Sequence, residues 1–156
     1  MHPFSSAHSS PRSHPRRWEP PVPTTPPAPV RTADDALRLV SLAVALPLRP
    51  ETICFPLNAE GVGGVATIVS GTARPEALFT VVEFMCRVMT DSEMTSLLLA
   101  TVRPGSGLLA GDVDRWCEAS DLCAAKGFLL REWYVIGPGG IDIPRELLGE
   151  PERWAQ

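Results

Sequence analysis

Histidine is scarce in this sequence and is absent from the part most able to fold. All three histidines (His2, His8 and His14) precede residue 15 of the 156. Imidazole is the common ligand of catalytic zinc and the common base of Ser–His and Cys–His nucleophilic sites. No such imidazole is available in residues 32–156, so the sequence disfavours both kinds of chemistry there.

Paired cysteines and long apolar runs are also lacking. The four cysteines (Cys54, Cys86, Cys117 and Cys123) have no C-x-x-C spacing, which predicts free, mostly buried thiols. If Cys117 and Cys123 share a helix, a rise of about 9 Å between them excludes a disulfide. Free thiols are typical of a cytoplasmic protein. No apolar run approaches the roughly 18 residues that span a bilayer, so we expect no membrane segment.

Proline, by contrast, is plentiful and unevenly placed. Nine of the 17 prolines precede residue 31, among many Ser and Thr residues. This composition predicts a disordered, partly polyproline-II arm over residues 1–31, in which Trp18 is the residue most suited to docking. The arm is either a PxxP-type ligand or a solvated extension. We place the folded domain at residues 32–148 and a polar C-terminal tail at 149–156.

Charge divides at the same point. Four arginines against one glutamate give residues 1–31 a charge of +3; since the whole chain carries −4, residues 32–156 carry −7. An acidic domain repels the phosphate backbone that supplies most nucleic-acid affinity. We therefore do not expect nucleic acid as a partner of the domain; only the basic arm or a local patch could bind it.

Hydrophobic periodicity predicts alternating helices and strands. We expect a first helix from Ala33, capped by Thr32 with Asp35 in the capping-box position, and a short strand from Thr52 interrupted by Pro56. Further elements are predicted as a strand at 63–70, a helix at 75–89, a central strand at 97–102, a helix at 112–126 and a strand at 128–136. This order predicts an α/β (α+β) sandwich, a mixed β-sheet with helices packed on it.

A candidate site lies between the central strand and the helix that follows it. Ala100 to Gly107 runs from an apolar strand into a Pro-Gly turn, and Asp112-Val113-Asp114 opens the helix. At such a junction, side chains and free backbone N–H groups can converge. Gly105-Ser106-Gly107 is a plain turn, because it lacks the frame of a phosphate loop.

The segment from Pro50 to about Leu148 resembles the RadC-like branch of the JAB/JAMM (MPN) fold. Zinc peptidases of that family carry H-x-H-P-S-G followed by S-x-x-D, with a Glu on an earlier strand. Thr101 to Ser106 stands where the first motif would lie and Gly111 to Asp114 where the second would, at the family's spacing. Glu51 stands near the place of the catalytic Glu, and Trp133 where a further histidine is usual.

Both imidazole positions depart from the family pattern. The resemblance implies zinc held by two imidazoles and one carboxylate, but Thr101 and Arg103 occupy the imidazole positions. Pro104 and Asp114 are retained around them, while Ser106 stands where the motif has glycine. A neutral hydroxyl is a poor zinc ligand, and an arginine brings a cation into the space of a dication. We hypothesise that Arg103 takes the place of the metal in a salt bridge with Asp114, and with Glu51 in reach. The alternative is a solvated arginine on a turn.

These departures predict a catalytically inactive, metal-free RadC-like JAB/MPN domain of a cytoplasmic bacterial protein. The resemblance implies a scaffold or interaction role, with a protein partner or a homodimer, and no catalytic residue, cofactor or metal is expected. One alternative is a divergent metal-dependent hydrolase (isopeptidase- or peptidase-like) with a rebuilt site, for instance from Cys54, Glu51 and Asp114. Another is a DNA-repair-associated accessory protein, which the acidic domain opposes.

Overall fold

The computed structural model describes residues 28–154. The arm predicted for residues 1–31, with Trp18, lies almost wholly outside that range. The described elements alternate in type: α1 (Ala33–Ala43), β1 (Glu51–Asn58), β2 (Thr67–Ser70), α2 (Ala77–Met89), β3 (Met94–Val102), α3 (Asp112–Ala125), β4 (Leu129–Gly137), β5 (Gly140–Asp142) and α4 (Pro144–Leu148).

The five strands form one mixed sheet in the order β2-β1-β3-β4-β5. β1 runs antiparallel to both β2 and β3, β3 is parallel to β4, and β4 is antiparallel to β5. The parallel pair is joined through α3, as a crossover connection requires. The predicted mixed α/β fold is confirmed.

Helices cover both faces of the sheet, so the protein has three layers. α2 and α3 pack on one face around a core that includes Cys54, Leu99 and Trp133. α1 packs on the other face through Ala36 and Val40, both fully buried, against side chains such as Ile53. Because successive strand residues point to opposite faces, β1 and β3 contribute to both cores, which explains why their sequences are nearly continuous apolar runs.

α1 begins as its sequence predicts. The Thr32 side chain accepts a hydrogen bond from the Asp35 backbone N–H at 3.2 Å, and the Asp35 carboxylate accepts one from the Thr32 N–H at 3.1 Å. This reciprocal capping box satisfies donors that the first helical turn leaves open. The same hydrogen bonds lower the pKa of Asp35, with the Arg31 backbone N–H as the largest contribution.

The prediction that Pro56 interrupts the first strand is wrong. β1 continues through Pro56, which is buried and paired with Leu97 of β3. The Pro56 carbonyl accepts a hydrogen bond from the Gly64 N–H at 2.8 Å, so its backbone polar groups face the loop before β2 and not β3. The missing proline N–H therefore removes no bond from the central ladder, which is the condition under which a strand tolerates proline.

The segment predicted as a polar C-terminal tail packs against the domain. Arg153 lies over the Trp116 ring, 4.5 Å from its centroid, and donates a hydrogen bond to the Leu130 carbonyl at 2.9 Å. The Trp116 indole N–H donates to the Glu150 carboxylate at 3.3 Å. At the other end, the Val30 N–H donates to the Gly61 carbonyl at 2.8 Å. Residues that pack against the domain therefore lie beyond both ends of the predicted range of 32–148.

A buried ion pair joins this C-terminal region to the sheet. Arg145 Nε lies 2.8 Å from Glu132 Oε2, with the two side chains 3% and 1% exposed. Burial is the largest influence on Glu132 and raises the pKa of its carboxyl, while the hydrogen bond from Arg145 opposes the rise. Removing Arg145 would leave the Glu132 carboxylate buried without a cation, whereas Arg145 also lies 3.7 Å from the exposed Glu146 carboxylate.

No helix within residues 28–154 is long and apolar enough to span a bilayer. The four cysteines are free, and Cys54, Cys86 and Cys123 are buried, as predicted.

Replacing Arg145 with methionine should destabilise the protein by about 3–5 kcal/mol at neutral pH, because the Glu132 carboxylate stays buried without its cation. The variant should regain stability as the pH falls. Without Arg145, the folded-state pKa of Glu132 lies further above its unfolded-state pKa than in the unmodified chain. The folded state therefore holds a proton that the unfolded state has lost, and the free energy of unfolding declines as the pH rises through the folded-state pKa. Urea unfolding between pH 5 and 8 measures both effects.

The matched control is Glu132→Gln combined with Arg145→Met, which removes both charges. This double variant should be more stable than Arg145→Met alone and should show little of the added pH dependence. A single variant as stable as the unmodified chain at neutral pH would contradict the role assigned to the pair.

Candidate functional site

The candidate site forms where β3 ends and the chain turns into α3. The Arg103 backbone N–H donates to the Ile136 carbonyl of β4 at 2.8 Å, which holds the start of the loop beside the sheet. Gly107 has φ +63° and packs directly on Gly137, where a Cβ on Gly137 would clash with the Gly107 backbone. Two glycines thus allow the loop to lie against the end of β4.

Arg103 is the central side chain of this site. It is 5% exposed, and its guanidinium contacts the Asp112 carboxylate with both terminal nitrogens, Nη1 to Oδ2 at 2.5 Å and Nη2 to Oδ1 at 3.2 Å. Nη1 also donates to the Gly107 carbonyl at 3.2 Å. A bidentate pair of this kind fixes orientation as well as charge. Arg103 therefore links the strand end, the loop and the helix start.

The Asp112 carboxylate accepts hydrogen bonds from several donors besides Arg103. It accepts hydrogen bonds from the Leu109 backbone N–H at 2.7 Å and from Arg115 Nη1 at 2.9 Å, and its side chain is fully buried. Two guanidinium groups therefore meet one carboxylate. Arg115 also lies 3.8 Å from the exposed Glu76 carboxylate. The Asp112 carboxylate sits in the first turn of α3, where the helix dipole favours an anion.

The ion pair predicted for Arg103 forms, but with a different partner. The prediction named Asp114, whose side chain is exposed and makes no ion pair within residues 28–154. Residues two apart on a helix point about 200° apart, so Asp112 and Asp114 cannot both face the sheet. Asp112, Trp116, Ala119 and Cys123 form the buried stripe of α3.

Sequence reasoning missed Asp112 because it oriented α3 incorrectly. The apolar spacing of this helix predicts an inward face of six residues, namely Val113, Trp116, Cys117, Ser120, Cys123 and Ala124. Val113 and Cys117 are half-buried, however, and Ala124 is exposed. The spacing that could have revealed Asp112 is present: it lies four residues before Trp116, on the same helix face. The predicted face shares Trp116 and Cys123 with the buried stripe, but it includes Ser120 and omits Asp112.

Thr101 belongs to a buried hydroxyl chain beside Arg103. The Trp133 indole N–H donates to Thr101 Oγ1 at 2.9 Å, Thr101 Oγ1 lies 3.3 Å from Thr52 Oγ1, and Thr52 donates to Thr72 Oγ1 at 3.0 Å. The Arg103 guanidinium lies 5.8 Å from the Trp133 ring centroid. The Thr101 hydroxyl thus serves as a partner for tryptophan and for threonine.

Glu51 lies on the opposite face of the sheet from this chain of hydroxyls. In the β1–β3 register Thr101 is opposite Thr52, whereas Glu51 is opposite Val102. Since neighbouring strand residues alternate between faces, Glu51 points with Ile53 toward the α1 side. Its carboxylate makes no hydrogen bond within the described range, so its predicted share in the Arg103 salt bridge is wrong.

Pro104 and Ser106 remain at the surface of the loop. With Arg103, they line a small pocket of about 160 Å³ that is completed by residues 50, 73, 102 and 105. Ser106 is exposed, and its hydroxyl reaches only the Gly107 carbonyl, at 3.5 Å. Ligand pockets commonly hold about 300–1,000 Å³, so this one is small for a substrate.

The residues at this site do not fit a zinc ion. Thr101 engages its hydroxyl with Trp133 and Thr52, Arg103 supplies a cation, and Asp114 faces solvent. Within residues 28–154 no three His, Cys, Asp or Glu side chains are grouped to hold a metal ion. Zinc needs three or four nitrogen, sulfur or oxygen ligands, and the cluster around Asp112 offers one carboxylate between two cations.

The rebuilt site considered for Cys54, Glu51 and Asp114 is not assembled either. Cys54 packs in the core under α2, Glu51 points to the other face of the sheet, and Asp114 is exposed on α3. Burial raises the pKa of the Cys54 thiol to about 12, which keeps it protonated near neutral pH. A protonated thiol is a poor nucleophile.

Comparison with known proteins places the chain in no family: it matches no family model and no curated protein.

Replacing Asp112 with alanine should cost about 3–5 kcal/mol of folding stability, because Arg103 would stay buried without its carboxylate. Replacing Asp114 with alanine removes the same charge two residues away and should cost less than about 1 kcal/mol, since only the helix dipole interaction is lost. Urea unfolding of the two variants measures the difference. Equal losses would contradict the assignment of Asp112 as the partner.

Proposed function

We propose that this chain is a metal-free, catalytically inactive RadC-like JAB/MPN domain that acts through protein–protein contacts. The observation that carries the proposal is the buried Arg103–Asp112 ion pair. By the sequence resemblance, Arg103 stands at one of the two imidazole positions that hold zinc in the active relatives. A fixed guanidinium there supplies positive charge between the loop and the helix without a metal.

The surroundings of Arg103 support a structural role for the pair. The second imidazole position holds Thr101, whose hydroxyl is bonded to Trp133. Trp133 in turn occupies the place of a further histidine in the family and is fully buried. A bulky indole and a bidentate arginine are packed where an active site would need open coordination positions and a bound water.

A hydrolase with a rebuilt site receives no support from the geometry. The candidate ligands Cys54, Glu51 and Asp114 lie in three different surroundings, and the pocket next to Arg103 is small. Among residues 28–154, no imidazole or carboxylate lies in hydrogen-bonding contact with Ser106, so the described part of the chain places no activated nucleophile beside that pocket. The interaction role is therefore the better supported function.

Nucleic acid is a poor candidate for the partner in that role. Residues 32–156 carry a charge of −7, which opposes binding to phosphate backbones. The exposed apolar side chains of the described residues, including Ile68 and Phe84, instead offer contact surface for protein.

The purified 156-residue chain, prepared with zinc in the growth medium, should contain far less than one zinc per chain after dialysis. Added zinc should leave its thermal midpoint unchanged, because a ligand that does not bind the folded state does not stabilise it. Metal analysis by mass spectrometry and thermal unfolding with zinc or with chelator measure this.

The control is Arg103→His with Thr101→His, which restores both imidazole positions and removes the buried cation. One tightly bound zinc in the unmodified chain, with a thermal midpoint that falls on chelation, would overturn the proposal.

A further inference from the structure

An apolar surface lies along the free edge of the sheet, between β2 and α2. A groove of about 500 Å³ runs there, lined by residues 67–70 and by Thr80, Val81, Phe84 and Arg87. Phe84 is 44% exposed and Val88 54%. Val69 lies on the α2 side of β2, whereas the side chain of Ile68, which is paired with Ile53 and 54% exposed, lies on the α1 side of the same edge. We call this region, residues 67–70 with the outer side of α2 from Thr80 to Val88, the β2 edge surface.

The backbone of β2 presents unpaired hydrogen-bonding groups to this side. The Gly71 N–H donates to the Pro50 carbonyl at 3.0 Å, which places residues 71, 69 and 67 in bonding contact with β1. Backbone groups alternate in direction along a strand, so the N–H and C=O of Ile68 and Ser70 point away from the sheet. β2 is the terminal strand of the sheet order, and none of residues 28–154 bonds to these groups.

The two edge strands of the sheet differ in how well they are protected from pairing with another strand. Both edge strands are short, but β5, at the far end, follows Pro138 and carries Asp142. β2 has the sequence Thr-Ile-Val-Ser, with neither charge nor proline. Proteins usually blunt an edge strand with charge, proline or a bulge, so an uncharged edge beside apolar side chains is typical of a strand that gains a partner.

The surface is complementary to itself. If β2 pairs antiparallel with its own copy about Val69, Ile68 lies opposite Ser70 of the second copy, and both residues have their free N–H and C=O turned toward each other. Val69 then faces its counterpart on the α2 side of the sheet, next to Phe84. The same two-fold axis makes the α2 helices antiparallel.

Charges on α2 favour the same arrangement. Glu83 and Arg87 are both exposed and have no ion-pair partner within residues 28–154. On a helix these residues lie one turn apart, on the side that carries Phe84 and Val88. When the α2 helices of the two copies are antiparallel, Glu83 of each copy lies opposite Arg87 of the other. The dimer therefore contains this ion pair twice.

We infer that the β2 edge surface binds a second copy of this chain, forming a two-fold dimer with one continuous ten-stranded sheet across the two copies. The inference rests on the proposed interaction role and gives it a specific partner. The two proposals can fail independently. The zinc content tests the metal-free site around Arg103, whereas the molecular mass in solution tests the dimer through β2.

Sedimentation velocity of the full chain at several concentrations tests the inference, and we expect the mass of two chains. Ile68→Pro removes an N–H that only a partner strand would use, so it should give a folded monomer. Circular dichroism and thermal unfolding verify the fold of each variant.

Charge exchange on α2 gives a second, milder test. Glu83→Arg alone and Arg87→Glu alone should each weaken the dimer about tenfold, because each places like charges opposite one another at two positions. A mixture of the two single variants should form a heterodimer as strong as the original, since both opposite-charge contacts return. Glu118→Arg, an exposed charge change on α3, is the matched control and should leave the mass unchanged.

Three outcomes would overturn the inference. They are a chain that stays monomeric up to submillimolar concentration, a dimer that survives Ile68→Pro, or a mixture of the charge variants no stronger than either variant alone. A monomeric chain would assign the β2 edge surface to another protein.

Discussion

The structure around the candidate site depends on keeping a buried positive charge neutralised. A guanidinium cannot lose its proton at physiological pH, so Arg103 at 5% exposure requires an anion within contact distance. Asp112 supplies that anion only if α3 starts at the right residue and in the right rotation. The loop of residues 103–107 must in turn lie against β4, which the paired glycines Gly107 and Gly137 allow.

The same requirement connects the site to the core. Asp112 continues the stripe of Trp116, Ala119 and Cys123 that packs α3 on the sheet, so the ion pair and the apolar contacts set one helix orientation together. Trp133 lies under both, with its indole N–H bonded to Thr101 and its ring near Arg103. In a metal site, bonds from the ligands to the metal would hold the loop and α3 in place. In this protein, side-chain packing and one bidentate ion pair hold them, as we propose for a domain without metal or catalytic activity.

Much of the fold was predictable from local patterns. The capping box at Thr32, the nearly continuous apolar run of β3 and the strand predicted at 128–136 each depend on nearby residues, and the structure has the corresponding elements. The errors concern relations across the fold. Whether Asp112 or Asp114 faces the sheet depends on helix rotation, and whether Pro56 breaks β1 depends on which neighbour its backbone faces.

The register of β1 shows the same limit for the candidate site. A shift of one residue moves a side chain to the other face, and the weak pattern at the start of β1 did not determine whether Glu51 or Thr52 faces Thr101. The C-terminal segment was read as a polar tail because its charged residues suit solvent. Arg153 and Glu150 instead bond with the Trp116 region, a contact 34 residues away in sequence for Glu150.

A double-mutant cycle between Arg103 and Asp112 tests the central claim most directly. Urea unfolding of Arg103→Met, Asp112→Asn and the double variant isolates the free energy with which the two side chains stabilise each other. We expect a coupling free energy of at least about 2 kcal/mol, with the double variant more stable than the sum of the single losses implies. A coupling free energy near zero would contradict the account, since it would mean that Arg103 does not hold the loop to α3 through Asp112.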